Sequence, residues 1–220
     1  MPEVLIQYQA EIITAIFQTA IMVGVSILAA ILVGLPIGTV LFLSSKGHIL
    51  ENKALYNLFN LLVNIIRSFP FLLLVVFLIP FTRLLVGSAI GTAAACVPLA
   101  IIAIAHYARL VEQSLLEVPR GVIEAAISMG ATVKAIIFKF LYVEARSGLV
   151  LGLTTSTISF ISYSTIMGVV GGGGIGDFAI RYGYQQFKTD LMMYMIIIMI
   201  IFVQLIQIIG TAVARKIDKR

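Results

Sequence analysis

The stretch RGVIEAAISMGAT, residues 120–132, is charged and amphipathic, and it lies between two long apolar runs. The surrounding chain is 60% hydrophobic and only 11% charged, with a mean hydropathy of +1.10. A chain this apolar has to keep a polar segment of this kind outside the lipid. The sequence therefore predicts an all-α, polytopic membrane protein with a short helix at one membrane surface.

The chain contains five apolar runs that are long enough to cross a hydrocarbon layer of about 30 Å. These runs are predicted as the spans 12–43, 58–80, 89–111, 148–169 and 191–214. The first run is longer than a bilayer requires, so we expect it to tilt, project or bend near Pro36. The whole chain, 1–220, is assigned to one transmembrane domain with a cytoplasmic segment at about 117–146.

Basic residues are distributed unequally between the two sides of these spans. One side carries Lys46, Lys53, Arg120, Lys134, Lys139, Arg146, Arg215, Lys216, Lys219 and Arg220. The other side has Arg83, Arg181 and Lys188, and the N-terminal stretch carries Glu3 and Glu11. Because cytoplasmic loops are enriched in Lys and Arg, the N-terminus is predicted outside and the C-terminus in the cytoplasm. An odd number of spans agrees with this orientation.

The cytoplasmic segment between spans 3 and 4 has the signals of two short helices. Pro119 ends the helix that leaves the third span, and a helix is predicted from Val122 to Gly130. Gly130 can adopt the left-handed conformation that closes many helices. Thr132 is a candidate N-cap for a second helix that runs to about Val143. An ordinary amphipathic helix at the membrane surface is the alternative interpretation.

The pattern Glu124-Ala125-Ala126, followed after three residues by Gly130, resembles the cytoplasmic signature of permease subunits of ATP-binding-cassette importers. In that family the first short helix is a coupling helix that sits in a groove of an ATPase subunit. The resemblance implies coupling roles for Glu124, Ala125, Ala126, Met129, Gly130 and Ala131. Where the family usually has two prolines, this chain has Val143 and Ser147, so the following turn is expected to be more helical.

Other stretches resemble the methionine-importer branch of these permeases. They are NIIRSFPF at 64–71, IPFTR at 79–83, LLEVP at 115–119, SMGAT at 128–132 and the segment 171–184. The resemblance implies a homodimer in the inner (plasma) membrane of a bacterium, with two cytoplasmic ATP-binding subunits and an external substrate-binding protein, often lipid-anchored. It also implies uptake of an amino acid, methionine in this branch, by alternating access.

The chain itself has the motifs of neither an ATPase nor a metalloprotein. It lacks the pattern G-x-x-x-x-G-K-[ST], so we expect no enzyme activity and no cofactor here, with ATP and Mg²⁺ held by the partner. The glycines at 171–176 match G-x-G-x-x-G, but they follow a span rather than a strand, which predicts a flexible external turn. One cysteine and two histidines make no metal set. The net charge of +5 fits membrane topology better than nucleic-acid binding.

Polar residues inside the spans are candidates for a translocation pathway. Arg67 lies near the start of an apolar run, where a charge has to pair, face water or reach the interface. The fourth span carries eight serine and threonine side chains within residues 154–165. Such residues line a polar route or allow close helix packing, and both interpretations stay open. The predicted pathway residues are Arg67, Ser68, Thr157, Ser164 and Met167.

An autonomous channel or ion-coupled carrier is the alternative function. Ion-coupled carriers usually have membrane-embedded acids near the midplane. The predicted spans contain almost no carboxylate away from their ends, and Glu112, near the inner surface, can pair with Arg109 three residues before it. This composition argues against proton or sodium coupling. A purely structural assembly protein would leave the docking segment and the hydroxyl-rich span without a role.

Overall fold

The structure of the chain, a computed structural model, describes residues 6–218, and these form helices without a β-strand. The helices are α1 (Gln9–Ser44), α2 (Lys53–Ser68), α3 (Phe71–Phe77), α4 (Ile79–Val86), α5 (Thr92–Leu116), α6 (Arg120–Ser128), α7 (133–169), α8 (174–184) and α9 (Thr189–Ile217). Three of them contain a π-helical turn, at Ala30–Gly34 in α1, Ile136–Leu141 in α7 and Ala179–Tyr184 in α8. The prediction of an all-α fold is confirmed.

Three of the predicted spans coincide with helices that are long and apolar enough to cross a membrane. These helices are α1, α5 and α9. Helices α2 and α3 together form one further apolar unit, but they meet at an angle of 107°. Helix α7 has the length of a span, and its many hydroxyl side chains make it less apolar than the other three. The described residues therefore contain at least three candidate spans.

Helix α7 corrects the predicted division of the chain after Gly130. The second cytoplasmic helix and the fourth span, 148–169, were expected as separate elements, but they form one helix over 133–169. Val143 and Ser147 each carry a backbone N–H, so the helical hydrogen bonds continue where proline would interrupt them. The sequence predicts that the chain is more helical at these two residues, and the structure agrees, because the helix continues through both of them.

Helix α5 lies at the centre of the fold and packs against α1, α2 and α7. Two glycines of α1 allow a close approach to it. An ideal Cβ on Gly34 would lie 2.9 Å from the carbonyl oxygen of Ile104, and one on Gly38 would lie 2.6 Å from the Cβ of Val111. Small residues at such spacing let helix backbones come together in a membrane. These glycines therefore allow close contact between α1 and α5 within one subunit.

Replacing Gly38 with alanine is expected to destabilise the fold by about 1–3 kcal/mol, because the added methyl group overlaps α5. Gly24 provides a matched control in the same helix, since nothing lies within 4 Å of its ideal Cβ. Gly24→Ala should leave stability unchanged or raise it by about 0.5–1 kcal/mol, the usual gain for alanine in a helix. Thermal unfolding of the detergent-purified variants measures both effects. Equal midpoints for the two variants would contradict the close α1–α5 contact.

Candidate functional site

Helix α6 ends in a hydrogen-bonded glycine motif. Gly130 has a φ of 71°, and its N–H donates to the carbonyl of Ile127 at 2.9 Å. The N–H of Ala131 donates to the carbonyl of Ala126 at 3.0 Å. This pair of bonds closes the last turn of α6, as in a Schellman motif. The predicted conformation of Gly130 is confirmed.

Helix α7 begins directly after this motif. The Oγ1 of Thr132 accepts a hydrogen bond from the N–H of Ala135 at 3.3 Å, so Thr132 is the N-cap that the sequence predicts. Pro119 precedes α6 in an extended conformation, with φ −58° and ψ 131°. A proline before it, a glycine after it and a capped helix next to it fix the position of α6.

The predicted coupling residues divide between two faces of α6. Ala126 is fully buried, and with Ile123 it belongs to a core cluster that includes Phe42 of α1 and Leu115 of α5. Ala131 is half-buried and packs against the same cluster. The opposite face and the end of the helix are exposed. The α6 surface is defined here by five of these exposed residues, Glu124, Ala125, Ile127, Met129 and Gly130.

Two features of this region were missed in the sequence. Ile127 is 51% exposed beside Met129 at 68%, which makes the α6 surface more apolar than its charged residues suggest. A hollow of about 300 Å³ also lies between α6 and the α1–α2 connection, lined by Gly47, His48, Ile49, Arg120, Ile123, Glu124 and Ile127. The only sequence signal for this hollow was the predicted topology, which places the α1–α2 connection and the segment 117–146 on the same side of the membrane.

His48 connects this hollow to the core. Its ring lies 4.2 Å from the ring of Phe42, measured between centroids. Burial, and after it the positive charge of Arg120, lower the pKa of His48 below its ordinary value. The lowered pKa favours the neutral imidazole, which packs against Phe42 as an aromatic group.

A polar network joins α2 to α5. The guanidinium of Arg109 pairs with the carboxylate of Glu112 at 2.5 Å and donates to the side-chain oxygens of Asn60 and Asn64, each at 2.7 Å. Glu112 is only 4% exposed. The pairing that the sequence spacing predicts for these two charges is confirmed. Neither asparagine was singled out in the sequence, because an asparagine in an apolar run has no distinctive spacing.

The predicted pathway residues have two different environments. Thr157 and Ser164 are buried, and their hydroxyls donate to carbonyls of their own helix, those of Leu153 and Ile161. Met167 is 3% exposed and packs in a cluster with Met22, Phe71 and Leu99. Arg67 and Ser68 are instead exposed at the end of α2. The subunit thus does not gather these five residues at one open site, and their pathway role stays a prediction.

The glycine-rich turn at 171–174 is hydrogen-bonded to α1, and its predicted flexibility stays a prediction. The N–H of Gly174 donates to Gln18 Oε1 at 2.8 Å, and the N–H of Ile175 donates to Thr19 Oγ1 at 2.9 Å. Gly171, Gly173 and Gly174 have positive φ angles, which other residues adopt rarely. The turn forms part of the wall of a cavity of about 460 Å³ beside α1.

Comparisons with known proteins agree with this architecture. The model of the family described as binding-protein-dependent transport system inner membrane component matches residues 31–220. The probable D-methionine transport system permease protein MetI of Vibrio cholerae is 46% identical over 209 residues, 95% of this chain and 93% of that protein. The methionine import system permease protein MetP of Bacillus subtilis is 45% identical over 180 residues, 82% of this chain and 81% of that one.

A solved structure gives the same result for the fold. The MetNI methionine ABC transporter in an inward-facing conformation matches with a TM-score of 0.94 at 39% identity, over 97% of this chain and 99% of that one. The resemblance to importer permeases is therefore confirmed, and the chain is a multi-pass membrane protein. A family match over most of its length and relatives above 40% identity show that the chain belongs to the family of binding-protein-dependent transport system inner membrane components.

Proposed function

We propose that this chain is the permease subunit of an ATP-driven importer that takes up methionine into a bacterial cell. Two copies form a homodimer in the inner membrane, two cytoplasmic subunits hold ATP and Mg²⁺, and an external substrate-binding protein delivers the amino acid. The names of the Vibrio cholerae and Bacillus subtilis relatives support methionine as the substrate. The match to the MetNI transporter over 97% of this chain supports an assembly of the same kind.

The proposed topology has five spans, with the N-terminus outside and the C-terminus in the cytoplasm. Helices α1, α5, α7 and α9 are four of the spans, and the bent pair of α2 and α3 is the remaining one. The excess of basic residues in the α1–α2 connection, around α6 and after α9 supports this orientation. In this arrangement α6 lies at the cytoplasmic face, where a soluble ATPase can reach it.

The α6 surface is the proposed contact with the ATPase. The observation that carries this proposal is the exposure of apolar side chains on that surface. Ile127 and Met129 expose more than half of their area on a short helix whose other face is fixed to the core. An exposed apolar patch in a polar setting is typical of a contact with another protein. Ala125 is exposed on the same surface, and its small side chain allows a groove on the partner to approach closely.

The continuity of α7 suggests how movement at α6 reaches the membrane. Helix α7 covers residues 133–169, which at the rise of an α-helix is a rod of roughly 55 Å. It begins within a few residues of α6, and both helices share a core cluster with the ends of α1 and α5. A displacement of α6 by the closing ATPase would therefore move α1, α5 and α7 together and switch the dimer between inward-facing and outward-facing states.

Reconstitution in proteoliposomes tests the proposed function. The chain with its ATPase subunits and binding protein should accumulate labelled L-methionine only when ATP is supplied on the cytoplasmic side. The chain alone should give no uptake above empty vesicles. Equal uptake by the chain alone, without an ATPase, would contradict the proposal and favour an autonomous carrier.

A further inference from the structure

The second predicted span is broken near its middle by an elbow between α2 and α3. Helix α2 ends at Ser68, helix α3 begins at Phe71, and the two axes differ by 107°. Phe69 is extended, with φ −70° and ψ 132°, as expected for a residue before a proline. The elbow lies at the centre of the run 58–80, so it sits at membrane depth in the proposed topology.

The elbow leaves polar backbone groups without a helical partner. Pro70 has no N–H, so the carbonyl of Ile66 lacks the donor that a continuing helix would supply. Ser68, Phe69 and Pro70 are all exposed in the subunit. Backbone of this kind is not tolerated in contact with lipid tails, and at membrane depth it lies against protein or lines a water-filled cavity. The elbow is therefore not a lipid-facing surface.

A hollow of about 430 Å³ lies in the elbow, lined by Asn64, Ile65, Ser68, Phe69, Pro70 and Leu73. This volume falls within the range of about 300–1,000 Å³ that small-molecule sites occupy. Its wall is mostly apolar, with one amide and one hydroxyl at its edge. The amide of Asn64 is held in place, because its oxygen accepts a hydrogen bond from Arg109 at 2.7 Å. The hollow thus combines an apolar wall with a fixed polar group.

Arg67 places a positive charge one residue before Ser68, which lines this hollow, and that charge also interacts with those of Arg109 and Glu112. Arg67 takes part in neither the ion pair of Arg109 with Glu112 nor that of Arg181 with Asp177. Its side chain is exposed at the last turn of α2, directly before Ser68. A guanidinium in a region of low dielectric forms strong, charge-assisted hydrogen bonds with a carboxylate. The carbonyl end of α2 carries the opposite partial charge and favours an ammonium group.

We propose that this elbow is a subsite for the transported amino acid, which deepens the proposed function and rests on it. Arg67 binds the α-carboxylate, and the free carbonyls at the end of α2 bind the α-ammonium. The apolar wall of Phe69 and Leu73 accepts an unbranched, uncharged side chain such as that of methionine. The subsite would therefore select a zwitterion with an apolar side chain, and it would face water on the dimer's transport route.

Photolabelling of the complete transporter in vesicles tests the subsite. The probe is a methionine analogue with a diazirine in its side chain and with both α-groups intact. Label should map to residues 64–73 and disappear with excess L-methionine. Leu73→Trp, which fills the hollow, should reduce this label by at least about tenfold. Leu84→Trp is the matched control, because Leu84 is 82% exposed and outside the hollow, and it should label like the parent.

The role of Arg67 has a separate readout. When added before irradiation, L-methionine should compete with the probe at least about tenfold better than methionine amide, which lacks the carboxylate. Arg67→Gln should remove most of this difference. Protected label outside 64–73, absence of protected label, or a Leu73→Trp variant that labels like the parent would overturn the proposal. Co-purification of the ATPase and its ATP hydrolysis are measured on the same samples. Loss of that complex in the parent would instead refute the proposed function.

Discussion

Ala125→Trp is expected to abolish methionine uptake and ATPase co-purification while the chain stays folded in the membrane. Ala125 is exposed on the α6 surface, so a large side chain there meets the proposed partner before it meets its own subunit. A misfit at the centre of a protein interface commonly costs about 2 kcal/mol or more, which lowers partner affinity roughly 30-fold. Uptake, pull-down of the ATPase and membrane abundance are the three measurements.

Two variants make this result specific to the α6 surface. Leu116→Trp places the same side chain at another exposed position, 54% exposed at the end of α5, and should leave ATPase binding intact. Ala126→Trp should act differently, because Ala126 is fully buried and tryptophan would disrupt the core. It should lower membrane abundance as well as uptake. Normal uptake and normal ATPase binding by Ala125→Trp would refute the coupling role of α6.

The contrast between these neighbouring alanines shows what the sequence could predict. The start and end signals of α6 are local: a proline, a glycine in a left-handed conformation and a threonine cap act within one turn. Sequence reasoning therefore placed Gly130 and Thr132 correctly. Which alanine is buried depends on where the ends of α1 and α5 lie, and Phe42 of α1 is 84 residues away from Ala126 in the chain. The family signature contains both alanines and does not distinguish them.

Longer-range features were harder to predict for the same reason. The hydroxyl residues of α7 were candidates for a pathway, but Thr157 and Ser164 satisfy their hydroxyls within their own helix. A threonine that faces water and one that bonds to the preceding turn look identical in a sequence. The continuity of α7 was only partly foreseen, since it depends on the absence of proline at two positions. The 107° elbow could be suspected from Pro70, but its angle is set by packing against α5.

Glu112→Gln is expected to destabilise the chain more than any other single change to the polar network. Glu112 is 4% exposed, and its carboxylate balances the charge of Arg109 inside the α2–α5 contact. The substitution keeps the shape of the side chain but leaves a partly buried guanidinium without a counter-charge. Breaking a buried pair in this way costs roughly 3–5 kcal/mol. Thermal unfolding in detergent should show a midpoint lower by about 10 °C.

Two controls separate the loss of the pair from the loss of a carboxylate as such. The double variant Arg109→Met with Glu112→Leu removes both charges, and it should be more stable than Glu112→Gln because no buried charge remains. Arg181→Gln breaks the exposed pair with Asp177, where the arginine side chain is 56% exposed, and should cost less than about 1 kcal/mol. If Glu112→Gln unfolds at the parental temperature, Arg109 does not depend on Glu112, and Asn60 and Asn64 alone are enough to hold its charge between α2 and α5.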